Sequence, residues 1–164
     1  METHSLEVTR TIAAPRDRVF AAFLQKTGIM EHFAPTGPDG KRMQMVLHTF
    51  EPRVGGAMEY SMCPAGADPA QGGHKIVGVY KKIEDGERIV RTEAPGMPDG
   101  STGPETVVSF LFEDAQVDGA AATQVTIRHE GIPDPNWAKG AEMGWGSALE
   151  NLAAGWEALI AAEA

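Results

Sequence analysis

Apolar residues recur at two different spacings along the chain, and each change of spacing marks a new element. Leu6, Val8 and Ile12 stand among polar residues, the period of two that a half-buried strand requires. Pro15 then suits the first turn of a helix, and Val19, Phe20, Phe23 and Leu24 follow at helical spacing. Thr27 is placed to cap a second short helix holding Ile29, Met30 and Phe33, which Pro35, Gly37, Pro38 and Gly40 terminate. Strand patterns return over residues 43–50, 57–62, 74–83, 88–93, 105–112 and 123–130. Turn signals part some of them, at Arg53-Val54-Gly55-Gly56, Glu84-Asp85-Gly86 and Val117-Asp118-Gly119. Two long connections, Pro64 to Gly73 and Ala94 to Pro104, are crowded with Pro and Gly. Short turns predict an antiparallel meander, because parallel pairing needs a crossover in each connection.

The last pattern is the longest. Pro133-Asp134-Pro135 supplies an N-cap and an N-terminal proline, and no proline follows. Trp137, Trp145, Leu149, Leu152, Trp156, Leu159 and Ile160 then gather on one arc of a helix, with Lys139, Glu150 and Glu157 away from it. This predicts an amphipathic helix of about 25 residues, roughly 38 Å long. An apolar face of that length must cover the sheet. The expectation is an α+β chain forming a single domain over residues 1–164. A curved antiparallel sheet of about seven strands would pack with two short helices and a long C-terminal helix.

Composition narrows the partners more than the fold. Of 164 residues, 42% are hydrophobic and 23% charged, the balance of an ordinary globular chain. The net charge of −9 disfavours nucleic acid, whose phosphates call for a basic surface, and it disfavours anionic membranes as well. A single cysteine, Cys63, allows neither an internal disulfide nor a cysteine-built zinc site. The first six residues carry no basic region followed by an apolar run, and no stretch reaches 18 uninterrupted apolar residues. A cytoplasmic protein without membrane insertion is the expectation.

Several segments, in order, resemble one known family. Ala14-Pro15-Arg16-Asp17-Arg18-Val19-Phe20 resembles the "APRERVF" opening of the heat-shock-protein-90 ATPase activator-homologue family. That family belongs to the START-like, birch-pollen-allergen-like (SRPBCC) superfamily. Arg53-Val54-Gly55-Gly56 resembles its "RPGG" turn, and Gly78-Val79-Tyr80 with Glu87-Arg88-Ile89-Val90 its "G-x-Y … E-R-L-V" strands. Residues 123–127 through His129-Glu130-Gly131 resemble its "T-x-L-T-L-x-H-x-G" strand, and Gly144-Trp145 with Leu149 and Leu152 its terminal helix. The resemblance implies a helix-grip fold in which long helix and sheet enclose a cavity. Two departures stand out. Phe33 and Ala34 replace the family's usual aromatic pair near the cavity mouth, and Arg91 and Glu93 stand where large apolar residues are more common.

Catalytic signatures are missing: the sequence contains no HExxH, Walker loop, GxGxxG or GxSxG. His4, His32, His48, His74 and His129 include no pair at ligand spacing on a predicted helix. His129 and Glu130 are strand neighbours facing opposite sides, so they cannot act on one substrate atom. No catalytic residue, metal or cofactor is assigned. Arg91 and Glu93 share one strand face. Turned outward they form a solvated pair worth 0 to about 1 kcal/mol; turned inward they anchor a ligand. His48 and Tyr60 leave the same choice open. The candidate cavity residues are His48, Met58, Tyr60, Met62, Arg91, Glu93, Phe110, Trp145, Leu149 and Trp156, with Phe33 at the mouth.

A long apolar helix face over a sheet is a recipe for a concave, mostly apolar site. The functional expectation is binding of a small hydrophobic or amphipathic molecule. The alternatives are a co-chaperone-like domain that stimulates a chaperone ATPase, or a cyclase or hydrolase of small aromatic substrates. A chaperone and a second copy of the chain are the macromolecular partners to consider. Glycine, 19 of 164 residues, supports a cavity. Gly140, Gly144 and Gly155 fall at about 0°, 40° and 60° around the terminal helix, a stripe flanking its apolar arc.

Overall fold

The computed structural model describes residues 2–25, 34–37, 39–68 and 74–163, with side chains of the last helix described as far as Trp156. Among the described residues, seven strands and two helices run in the order β1 (His4–Ile12), α1 (Arg16–Ala22), β2 (Gln44–Phe50), β3 (Ala57–Cys63), β4 (His74–Glu84), β5 (Arg88–Pro95), β6 (Thr106–Val117), β7 (Ala120–Ile132) and α2 (Pro135–Glu163). The strands form one antiparallel sheet in the order β1-β7-β6-β5-β4-β3-β2. Successive strands from β2 to β7 are neighbours, and β1 closes onto β7. The meander is as expected, and so is the long helix. The second short helix expected over residues 27–33, and Phe33 with it, lies outside the described residues.

Local chemistry accounts for the turns. Asp118 and Gly119 both adopt positive φ, 51° and 79°, and join paired Val117 and Ala120. Two left-handed residues in a two-residue loop match the twist of the flanking strands, which is why Asp-Gly works there. The ribbon extends to this turn beyond the apolar pattern that ends near Phe112, held by pairing of polar residues such as Glu113 with Gln124. Gly78 serves a different need. A Cβ on Gly78 would collide with the carbonyl oxygen of Thr92, so only glycine allows β4 to approach β5 this closely.

The filled part of the interior lies under α1. Pro15 caps the helix in extended conformation, Asp17 occupies its first turn, and Val19 and Phe20 face inward. Phe20 and Phe23 pack against Phe110 and Phe112, with ring centroids 5.2–5.3 Å apart. Leu149, Leu152 and Ala153 complete this core from the middle of α2. Thr123 donates a 2.8 Å hydrogen bond to the Ala14 carbonyl, fixing the chain where β1 turns into α1. Beyond the core, the first half of α2 and strands β2 to β5 border an open volume. Among the described residues no helix is long and apolar enough to cross a membrane.

Candidate functional site

The volume is a cavity of about 650 Å³. Its apolar wall comes from the inner face of the sheet: Met45, Leu47 and Phe50 on β2, Met58 and Met62 on β3, and Ile76 on β4. Helix α2 forms the opposite wall with Trp137, Gly140, Ala141, Gly144, Trp145 and Ala148. A Cβ on Gly140 or Gly144 would meet nothing within 4 Å. These two glycines therefore widen the cavity at a cost in helix stability of about 1 kcal/mol each relative to alanine.

Into this apolar enclosure the sheet brings Tyr60, Tyr80, Arg91, Glu93 and His129. Arg91 and Glu93 turn inward, two residues apart on β5. Arg91 Nη2 and Nε both donate to Glu93 Oε2, at 2.7 and 3.0 Å, and each side chain is only 7% exposed. The guanidinium lies 4.8 Å from the centroid of the Phe110 ring, a cation–π contact that partly replaces lost water. Burial by itself lowers the Arg91 pKa, but Glu93 and the two tyrosines outweigh it and drive the net shift upward; the guanidinium stays charged. The Tyr60 hydroxyl donates to Glu93 Oε1 at 3.4 Å. Burial, then Glu93, raises the Tyr60 pKa against the opposing effect of Arg91. The Tyr80 hydroxyl is buried near the Arg91 guanidinium. Its pKa is raised by burial and pulled back by nearby Arg91.

His129 links sheet to helix. The indole Nε1–H of Trp145 donates to His129 Nδ1 at 3.1 Å. An indole nitrogen can only donate, so Nδ1 is the bare nitrogen and Nε2 carries the proton. Nε2 then donates to Thr106 Oγ1 at 2.7 Å, and Thr106 passes its own proton toward the Glu93 carbonyl at 2.8 Å. Burial lowers the His129 pKa, with Glu93 opposing and Arg91 assisting. The ring is held neutral in one tautomer.

Most of the residues expected at the site meet there. Met58, Tyr60, Met62, Arg91, Glu93 and Trp145 all line the cavity. Phe110 and Leu149 lie behind its wall in the packed core. Trp156 packs on the same core, its ring under Arg18 at 5.0 Å and its buried Nε1 without a partner. His48 is placed differently from the expectation. It is exposed and bonds Ser61 across the outer face at 2.8 Å. A register shift between Leu47 and Thr49 changes the parity of β2, so Leu47 and Phe50 face in and His48 faces out. Tyr80, His129 and Trp137 are cavity residues that the sequence reading did not assign. Glu130, next to His129, is exposed, as strand alternation requires. Among the described residues no group of three histidine, cysteine or carboxylate side chains converges as a metal site.

Comparison with known proteins locates this architecture. The family model described as "Activator of Hsp90 ATPase homolog 1-like protein" matches residues 13–157. A solved protein from Chromobacterium violaceum is 25% identical over 92% of this chain and 96% of its own, with a TM-score of 0.70. The AHSA1 protein from Silicibacter pomeroyi is 20% identical over 98% and 100%, with a TM-score of 0.75. A protein from Arthrobacter aurescens is 18% identical over 93% and 86%, at 0.73. The last two speak for the fold alone. No curated protein matches.

Proposed function

The chain belongs to the Activator of Hsp90 ATPase homolog 1-like family, and from that premise we propose that it binds a small hydrophobic or amphipathic molecule inside its cavity. One observation carries the reading: about 650 Å³ of space walled by methionines, aromatic rings and bare helix backbone, with polar groups gathered on β3 to β5 and β7. Such a concave, mostly apolar site with a few placed polar groups is what small-molecule recognition requires. The unbranched side chains of Met45, Met58 and Met62 can adjust to the shape of an occupant. Met58, Tyr60, Met62, Arg91, Glu93 and Trp145 are the proposed contact residues. A thiol that is buried and solitary, Cys63, fits a reducing compartment, and the cytoplasm is the proposed location.

Two measurements on the intact chain test the proposal. Native mass spectrometry of freshly purified protein is expected to show a co-purified small molecule. A ligand at a hundredfold excess over its Kd stabilises the folded state by about 2.7 kcal/mol, so a library of apolar compounds should contain members that raise Tm by roughly 5–10 °C. An empty protein that no apolar compound stabilises contradicts the proposal.

A further inference from the structure

Side chains of α2 hydrogen-bond two other parts of the chain. Ser147 Oγ accepts from the Thr36 backbone N–H at 3.0 Å, and Asn151 Nδ2 donates to the Ala34 carbonyl at 2.7 Å. Nearer the start of the helix, Trp145 donates to His129 on β7. Before Trp145, the helix side of the cavity is Trp137, Gly140, Ala141 and Gly144. A Cβ on either glycine meets nothing within 4 Å, so at these positions the helix lies over open volume. Glycine also weakens a helix locally. The bond from Trp145 to His129 therefore ties helix to sheet where the helix wall of the cavity has least beneath it.

That bond depends on one tautomer, which both neighbours of the ring enforce. Thr106 gives its hydroxyl proton to the Glu93 carbonyl at 2.8 Å, so toward His129 Nε2, at 2.7 Å, its oxygen can only accept. Trp145 can only donate, so Nδ1 stays bare. An imidazolium donates from both nitrogens, and its second N–H would face the indole N–H. The charges acting on the ring are Glu93, which favours a proton, and Arg91, which opposes it; the two are paired with each other. The positions paired with His129 are Val108 on β6 and Leu6 on β1, neither titratable. Arg128 and Glu130 beside it on β7, and Lys139 and Glu142 on α2, are exposed. Burial adds to the resistance and lowers the His129 pKa.

Resting on the reading that the cavity holds an apolar molecule, we propose that the bond between His129 and Trp145 is a pH-sensitive latch: protonation of His129 frees the first half of α2 and speeds release of the bound molecule. The proton comes from solvent to Nδ1, and the indole N–H turns from the ring to water. The latched form excludes this proton, whereas the unlatched form accepts it near the ordinary histidine value of about 6.5. Acidification from pH 7.5 to pH 5.5 therefore raises the ratio of unlatched to latched protein about tenfold. A molecule that leaves through the loosened wall leaves faster by the same factor. Ligand is held at neutral pH and let go in mild acid, and the change reverses when the pH is restored.

The test follows release of 2-acetylnaphthalene, an apolar ketone with no group that titrates in this range. Protein preloaded with the ketone is mixed with excess β-cyclodextrin, and recovery of tryptophan emission reports departure. The expected rate at pH 5.5 is about tenfold that at pH 7.5, with an unchanged far-ultraviolet circular dichroism spectrum. His129→Gln keeps an acceptor for the indole and a donor for Thr106 but cannot titrate, so its two rates should agree within about twofold. Trp145→Phe, which lacks the latching donor, should release faster at pH 7.5 and show at most about a threefold further gain at pH 5.5. Should His129→Gln fail to fold, Trp145→Phe decides, and the full tenfold gain in it overturns the proposal. Equal wild-type rates at the two pH values, or a full gain in His129→Gln, overturn the latch and leave the cavity reading in place. Acceleration that accompanies loss of the dichroism spectrum is global unfolding and also overturns it. If the ketone does not bind at pH 7.5, and no other apolar compound does, the cavity reading itself falls and takes the latch with it.

Discussion

Beneath α1, Phe20, Phe23, Phe110 and Phe112 fill their space ring against ring at 5.2–5.3 Å, whereas beneath the first half of α2, Arg91, Glu93, Tyr60 and Tyr80 border about 650 Å³ left open. Both regions use the inner face of one sheet and the underside of one helix. Phe110 belongs to both: Phe23 packs on one side of it, and Arg91 and Trp145 approach it at 4.8 and 5.7 Å. The filled region gains free energy from burial and ring contacts. The open region gives up part of that gain, through absent side chains on α2 and through an ion pair whose attraction barely offsets its lost hydration. A protein spends stability in this way where it keeps room for something else.

Substitutions can break the contrast at either end, and the largest effects should differ in what rescues them. Phe112→Ala leaves a hole among Phe20 and Phe23 and is expected to cost about 3–5 kcal/mol in denaturant unfolding. Glu93→Leu leaves Arg91 charged and unpaired in the interior, and the expected loss is again about 3–5 kcal/mol. Adding Arg91→Met to Glu93→Leu should return most of that loss, since a buried pair is readily replaced by apolar side chains. No single second substitution is expected to do the same for Phe112→Ala. A double variant as unstable as Glu93→Leu alone would show that the pair is integral to the packing.

A smaller effect follows from pH. His129 is held neutral with its pKa below the ordinary value near 6.5, so below that pH the unfolded chain takes up a proton that the folded chain refuses. Stability should therefore be fully present above pH 6.5 and fall as pH drops from there toward the folded pKa. The same proton would occupy Nδ1, the acceptor for Trp145, and separate sheet from helix at the cavity. His129→Gln is expected to flatten the stability profile over this range, measured by unfolding at successive pH values. An unchanged slope would place the titration elsewhere.

The smallest change in stability should give a clear change in binding. Gly144 lines the cavity and Gly146 does not, and a Cβ on either meets nothing within 4 Å. Alanine at each site should stabilise α2 by up to about 1 kcal/mol. Leucine should separate them: Gly144→Leu fills cavity space and weakens uptake of a bound apolar probe, while Gly146→Leu leaves uptake unchanged. Equal behaviour of the two would mean that the open volume is not where ligands bind.

Where the chain alternates regularly, the sequence already shows the wall. Met58, Tyr60 and Met62 share a face of β3, and the glycines at 140 and 144 stand out because a helix without reason for them would be more stable with alanine. β5 was opaque for a physical reason. It is buried on both faces, Thr92 and Ala94 as well as Arg91 and Glu93, so a period of two cannot say which face turns inward. Register shifts hid the rest. The extra residue in β2 turns His48 out, and the shift between Tyr80 and Lys82 interrupts the pattern of β4. The spacing of Met45, Leu47 and Phe50 does carry a trace of the first shift, since its last step is three residues rather than two. Tyr80 and His129 matter through partners brought together by pairing of distant strands, which no local spacing encodes.

The three tryptophans offer the most direct test of ligand binding in the cavity. Trp137 and Trp145 line it, and Trp156 packs on the core beyond it. Their indole N–H signals in a nitrogen–proton correlation spectrum can be followed during titration with 2-acetylnaphthalene. Saturable shifts of the Trp137 and Trp145 signals, with Trp156 nearly stationary, are the predicted result. Three unmoved indole signals at saturating probe, or a shift confined to Trp156, would contradict it.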